Sequence, residues 1–594
     1  MPDFPPTPIA SKPGIKRDGT MLDGDFYVDG QWCRFDRGKP RKMGGYRSIN
    51  NYLSGIGRTL HEYTRNRLTY VHVGSANAVE RFFIDGTMST STISDRTPAS
   101  GFTADSENLW QFDALTNLAG DLKLIAQVAP NLDCICNSTG GELFTGDFFD
   151  TTALTPVPAL NLPSDYSATG GIFSLAPYSV VLGNAGFIMW SVPYAPDDFV
   201  GSGAGYATIT SQKLVRGLHL RGGSATNPSA LLWSADSLIQ MSYIGGTETF
   251  SFNTLSASIS VLSPSSIIEM DGIYYWLGSD RFFTFNGVVR DLPNDLNRDF
   301  LFDNINYAYR QKVFAMAVPR WGEIWWCFPM GESTEPNHAV ILNVRDGTWY
   351  DTALPEDGRG AGIYPSVFRR PLMTGVAPVT SSATAASVTD QGTGYTAGDT
   401  LTVAGGVASV PAQLSVDTVG GSGEITGVTV SNAGSYTVEP TNPVDVTGGT
   451  GADATFDLTF GSTYKFWVHE TGVNKLDGQD EYPIQSYFET SDVSLPATSQ
   501  GNTQVGVIYV EPDFVQSGDM TVAISGQANA RAPIVNGEPM TFVDNATTPD
   551  QEVVFLKDQR RMLRFRFESN TLGGNYLMGV PLAHLRPGDG TMLG

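Results

Sequence analysis

Val313-Phe314-Ala315-Met316-Ala317-Val318, Pro319-Arg320-Trp321-Gly322, Glu323-Ile324-Trp325-Trp326-Cys327-Phe328, then His338 to Asn343, Arg345-Asp346-Gly347 and Thr348-Trp349-Tyr350: the chain between residues 313 and 350 reads as four short strands joined by turns. Each strand is rich in β-branched or aromatic residues, and Gly, Pro and Asp punctuate the intervals. Four of the ten tryptophans fall here, at positions 321, 325, 326 and 349. A two-stranded ribbon could not bury that much aromatic surface. The stretch must pack face to face against similar units, which is how one blade of a β-propeller behaves.

A second such unit precedes it: Ile273 to Leu277, a turn at Gly278-Ser279-Asp280-Arg281, Phe282 to Phe285, then the hairpin signal Asn286-Gly287. The rhythm extends backward through Leu68 to Val73 with Glu80 to Ile84, Lys123 to Val128 with Asp133 to Cys136, and Ile172-Phe173 with Ser179 to Leu182 and Gly186 to Trp190. Units recur at irregular intervals of roughly 45 to 60 residues, so roughly five to seven blades fit before Pro371. One helical segment is expected between blades, capped at Asn294 or Asp295 and running through Leu296, Phe300, Ile305 and Tyr309.

The predicted fold class is therefore all-β: a β-propeller body with an inserted small β domain and a C-terminal β-sandwich-like region. Residues 1–19, Pro-rich, form an extended arm that needs a binding partner to be ordered. The body is expected over 20–375. Residues 376–462 change composition sharply: between Arg370 and Lys465 no Lys or Arg occurs, while acidic residues do, and Gly394-Tyr395-Thr396 is echoed by Ser435-Tyr436-Thr437. This is a separate Gly/Thr-rich acidic β module, which looks like those of phage structural proteins. Residues 463–594 resume the aromatic strand pattern and complete the body. There Leu563, Phe565 and Phe567 alternate with Arg564, Arg566 and Glu568, giving one dry and one wet face, the arginines pairing with acidic neighbours.

Sixty-one acidic against 37 basic residues give a formal net charge of -24. Proteins that grip nucleic acid through its phosphates present basic surfaces, so this balance argues against such a grip. The basic run Lys39 to Arg47 reads first as a solvated turn or subunit contact. Four cysteines, Cys33, Cys134, Cys136 and Cys327, cannot frame a chain of this length with disulfides and indicate assembly in a reducing compartment. Cys134 and Cys136 lack the two further ligands of a zinc site, and Asp23, Asp25 and Asp29 flank a strand, Phe26 to Val28, where a calcium loop would be needed. No signal peptide and no membrane span are expected. Histidine spacing, nucleophile elbows and phosphate loops offer no catalytic, cofactor-binding or metal-ligating residue, and the chain is expected not to be an enzyme and to need no cofactor.

The runs Leu231-Leu232-Trp233-Ser234, Asp271-Gly272-Ile273-Tyr274-Tyr275-Trp276, Leu292-Pro293-Asn294-Asp295, Tyr309-Arg310-Gln311-Lys312-Val313, Pro319 to Trp325 and Asn337-His338-Ala339-Val340 resemble the tail nozzle (tail tubular, DNA-stabilisation) proteins of short-tailed bacteriophages, over roughly residues 20 to 370 and 463 to 594. The resemblance implies a virion structural protein: a homo-oligomer of six copies, docked on a tail adaptor ring, joined to fibres or a plug, with double-stranded DNA held in and released through its lumen without sequence-specific binding. It implies residence in the phage tail, with assembly in the host cytoplasm. Which carboxylates line such a DNA channel is left unassigned. The alternative is a receptor-binding or glycan-degrading tail protein, because cleavage of a glycoside needs only two carboxylates that converge in a cleft.

Overall fold

In the computed structural model the described residues are 6–19, 25–49, 52–65, 68–84, 91–100, 109–129, 142–158, 160, 162–168, 170–221, 227–246, 248–356, 358–365, 369–493, 504–527, 532–545, 547–548 and 551–587. Cys134, Cys136 and Asp23 lie outside them.

Six consecutive four-stranded antiparallel sheets follow one another along the chain, each in simple sequence order. Their first strands are Gly57–Arg65, Leu109–Thr116, Gly171–Leu175, Leu214–His219, Ile268–Met270 and Phe314–Val318. The sixth sheet is the stretch quoted above. It continues with Glu323–Phe328, His338–Asn343 and Thr348–Ala353, paired in register from Val318↔Glu323 to Asn343↔Thr348.

The seventh sheet is assembled from three distant pieces. Arg359–Ile363 pairs with the start of Leu372–Thr393, that strand pairs with the end of Ala452–His469, and Tyr46–Ser48 adds the fourth strand. A strand that precedes the first blade thus completes the last one.

Every seam between successive blades has its own hydrophobic cluster. Trp110 packs at the first seam, Ile125 with Phe187 at the second, Phe173 with Leu232 at the third, and Trp233 with Trp276 at the fourth. Phe282, Trp326 and Trp349 fill the fifth, Trp325 and Trp467 the sixth, and Phe82 with Phe466 the seventh. The alternation in Glu323–Phe328 explains this directly. Successive side chains leave opposite faces of a strand, so Trp325 and Cys327 serve one neighbour while Ile324, Trp326 and Phe328 serve the other. All six residues are buried. The architecture is a seven-bladed β-propeller.

The hairpin between the second and third strands of the seventh blade is drawn out into a long ribbon, paired from Leu372↔Val468 to Thr393↔Ala452. The acidic module sits on it, with a separate core around Tyr395, Leu401, Leu414, Tyr436 and Phe456.

Three sheets form the C-terminal sandwich-like region. One runs Asp29–Gln31, Ser486–Glu489, Met562–Ser569, Met520–Gln527; a second Thr7–Pro8, Leu582–Pro587, Val505–Glu511, Val554–Arg560; a third Phe514–Ser517, Asn575–Met578, Lys39–Lys42, Cys33–Asp36. Its core is continuous with the sixth propeller seam.

The N-terminal segment finds its partner within the same chain. Ile9 and Ile15 are fully buried, and Gly14 (φ +110°) crosses the sixth blade so closely that a Cβ would meet the Trp349 carbonyl oxygen at 2.8 Å. The expected helix is shorter, Arg298–Asn304, followed by a 3-10 turn at Tyr307–Lys312. Neither Asn294 nor Asp295 caps it. Asp18 does, accepting from the N–H groups of Asp299 (2.9 Å) and Phe300 (2.7 Å).

Candidate functional site

On the outer face of the first C-terminal sheet, alternation dictates what points where. In Ser486–Glu489, Ser486 and Phe488 are buried, leaving Tyr487 and Glu489 on the open side. In Met562–Ser569, Leu563, Phe565 and Phe567 face the core. The register then aligns Asp29, Glu489, Arg566 and Ala523 in one cross-strand row, and Gln31, Tyr487, Glu568 and Thr521 in the next. Directly opposed residues on antiparallel strands have Cα atoms about 4.5–5.5 Å apart with side chains on one face. Asp29 and Glu489 are such a pair.

They line a cleft of about 460 Å³ with Glu568, Arg566 and Ser525, walled by Ile534 and Asn536. Asp29 accepts from the Gly30 N–H (2.8 Å) and the Tyr487 hydroxyl (3.3 Å), and Arg17 is ion-paired with it at 2.8 Å. Glu489 accepts from Ser525 Oγ at 2.8 Å, while its nearest cation, Arg564, stands at 3.8 Å and is committed to Asp492 through bonds of 2.8 and 3.2 Å. Partial burial, with Asp29 adding repulsion, pushes the Glu489 carboxyl up, against the pull of Ser525 and Arg564. Arg566 lies 3.4 Å over the Tyr487 ring and bonds Glu568 at 3.2 Å. The cleft therefore holds two adjacent carboxyl groups in unlike surroundings, one with a cation at 2.8 Å and one whose nearest cation is 3.8 Å away and bonded to Asp492. That is the arrangement from which an acid and a base can be drawn.

Sequence reading weighed Asp29 only as a calcium ligand, treated Glu568 as part of an alternating stripe, and passed over Glu489. No local signal brings these positions together, since Asp29 lies more than 400 residues from the other two and Glu489 and Glu568 are 79 apart. The basic run is spent internally: Lys39 donates to the Gly579 carbonyl (3.1 Å), Arg41 pairs with Asp36 (3.1 Å), and Lys42 is buried, its ammonium pushed down to about 8 by desolvation. Arg564, expected on a wet face, is buried beneath the Thr490 to Asp492 segment, which covers that end of the sheet.

No family model matches the chain, and no curated protein does. Solved structures similar to it include an exo-β-1,3-galactanase from Phanerochaete chrysosporium (10% identity, 91% of this chain and 99% of that one, TM-score 0.29). Others are a glycoside hydrolase family 43 arabinoxylan arabinofuranohydrolase from Bacillus subtilis (11%, 70% and 96%, 0.25) and Sqt1 from Saccharomyces cerevisiae (8%, 70% and 98%, 0.34). The expectation that the chain is not an enzyme is corrected at this point. Two of these similar structures are glycoside hydrolases.

Proposed function

We propose that the chain is a ring-forming structural subunit of a short phage tail, a nozzle that conducts and retains genomic DNA and anchors other tail parts. The observation that carries this reading is the apolar surface of the C-terminal region. Phe555 is 51% exposed and Met540 43%, both around a groove of about 510 Å³ that Ile524 and Leu556 also line, and Ile508 and Ile534 of the same region are exposed as well. Apolar surface gathered in one place marks a protein interface. The resemblance of the sequence runs to tail nozzle proteins suggests the kind of assembly: six copies about an axis, an adaptor ring above, fibres or a plug below, in the virion and, during assembly, in the host cytoplasm. The net charge of -24 suits a conduit for DNA, because lumen carboxylates repel phosphates within about 8 to 10 Å at ordinary salt and let the duplex slide. Negative-stain microscopy and mass measurement of the purified chain at micromolar concentration test this. Rings of defined copy number are expected; a persistent monomer that is absent from tails would end the reading.

The cleft favours a second reading, a tail protein that acts on glycans. Glu489, with its raised carboxyl, would protonate the glycosidic oxygen while Asp29 faces the anomeric carbon. Carboxyl groups about 5–5.5 Å apart give retention of configuration and about 6.5–9.5 Å inversion, so the stereochemistry of any product reports which spacing the pair adopts. Wild type, Glu489→Gln and Asp29→Asn are compared on a panel of bacterial surface polysaccharides. Turnover that falls about 100-fold or more in both variants supports it; no turnover, or turnover indifferent to both, rejects it.

A further inference from the structure

The propeller axis carries a second cavity, of about 640 Å³, lined by inner-strand residues of several blades. Its charged lining is the reverse of the molecule's. Arg58, Arg216, Arg221 and Arg369 face it against the single carboxylate Glu269, in a chain whose acidic residues outnumber the basic ones by 24. Two of the four are already neutralised. Arg58 forms a two-pronged pair with Glu335, and Arg221 Nε lies 2.9 Å from Glu269.

Arg216 and Arg369 are different. Among the described residues, neither has a carboxylate within ion-pair distance. Arg216 is partly buried, and its Nε is sealed from solvent without an acceptor. Its Nη1 donates only to the neutral amide oxygen of Gln111, at 3.3 Å. Asp113 acts on it through space, but both oxygens of that carboxylate are taken by backbone N–H groups, Oδ1 by Ala114 and Oδ2 by Ser174, each at 2.7 Å. Nearby His61 is half-buried, and desolvation holds its imidazole toward the neutral form, so it brings no charge to Arg216. A guanidinium withdrawn from water without an anionic partner is costly. The planar fork of Arg matches carboxylate and phosphate oxygens in pairs. Between the charged groups the wall is largely apolar, with Ile267, Phe314, Met316 and Tyr364.

We propose that this axial cavity is a binding site for a small oxyanion-bearing ligand, held by Arg216 and Arg369 with its uncharged part against the apolar wall. Titration calorimetry on the full chain, with inorganic phosphate, glucuronate and neutral glucose as probes, tests it. Millimolar or tighter binding of phosphate or glucuronate is expected, with none of glucose; which anion binds tells a phosphate source from a carboxylate one. Arg369→Gln, at an exposed position that leaves the fold alone, and Arg216→Met should each weaken binding about 10- to 100-fold. No binding of either anion at 10 mM, or binding that both variants retain in full, would overturn the assignment.

Discussion

Replacing Arg34 by Met would test whether the propeller and the C-terminal region are held together by charge. Arg34 is 1% exposed on the strand Cys33–Asp36. Its Nε lies 2.9 Å from Glu323 of the sixth blade, its Nη1 donates to Glu470 at 2.9 Å, and Trp321 stacks 4.6 Å away. Glu323 also accepts from the Tyr350 hydroxyl (2.6 Å) and Trp325 Nε1 (2.9 Å), and Glu470 from Trp321 Nε1 (2.9 Å). Burial works against ionised Glu470, but the charge and hydrogen bonds of Arg34 outweigh it and hold that carboxyl below the usual range.

Methionine fills much of the same space and removes the cation, leaving two carboxylates facing each other in a dry seam. Breaking a buried pair from one side costs about 3–5 kcal/mol, a large part of the roughly 5–15 kcal/mol of a typical domain. A fall in melting temperature on the order of 5–10 °C is expected. The sign with pH distinguishes charge from packing. Without Arg34 the two carboxyls have folded pKa values above their unfolded ones. Their penalty is absent below about pH 4.3 and grows as pH rises through the folded values. Differential scanning calorimetry at pH 4.5 and 8 should therefore show the larger deficit at pH 8. An equal deficit at both would mean that Arg34 acts by filling space, and no deficit at all would refute the argument.

Glu80, 6% exposed, has its carboxyl pushed up to about 7 by burial, with Asp95 adding and the Ser54 N–H opposing. The folded state favours the neutral acid, so its contribution is full below about pH 4.5 and is lost as pH rises through 7; Glu80→Gln should match wild type at pH 4 and exceed it at pH 8.5 by at most about 3 kcal/mol in urea titrations. Deleting residues 377–461 removes a module with its own core, joined to the seventh blade through one ribbon, and the propeller's main thermal transition should survive; its loss would show that the module completes the blade. Asp18→Ala removes the cap of the helix Arg298–Asn304 and should cost about 1 kcal/mol, with faster amide exchange at Asp299 and Phe300 as its local mark.

The blades themselves could be read locally. Glu323–Phe328, His338–Asn343, Ile273–Leu277 and Phe282–Phe285 coincide with the strands predicted for them, because period-two alternation, aromatic content and Gly turns all act within a few residues. The same locality made the acidic module visible as a change of composition. What alternation cannot carry is the choice of partner. That Tyr46–Ser48 would close a blade begun at Arg359, that Asp18 would cap a helix at Arg298, and that Asp29, Glu489 and Glu568 would share one cleft were decided by tertiary structure alone. Strand pairing joins backbones through hydrogen bonds that are alike for every residue, so a strand's own sequence says which face it hides and leaves its neighbour to the packing of the whole chain.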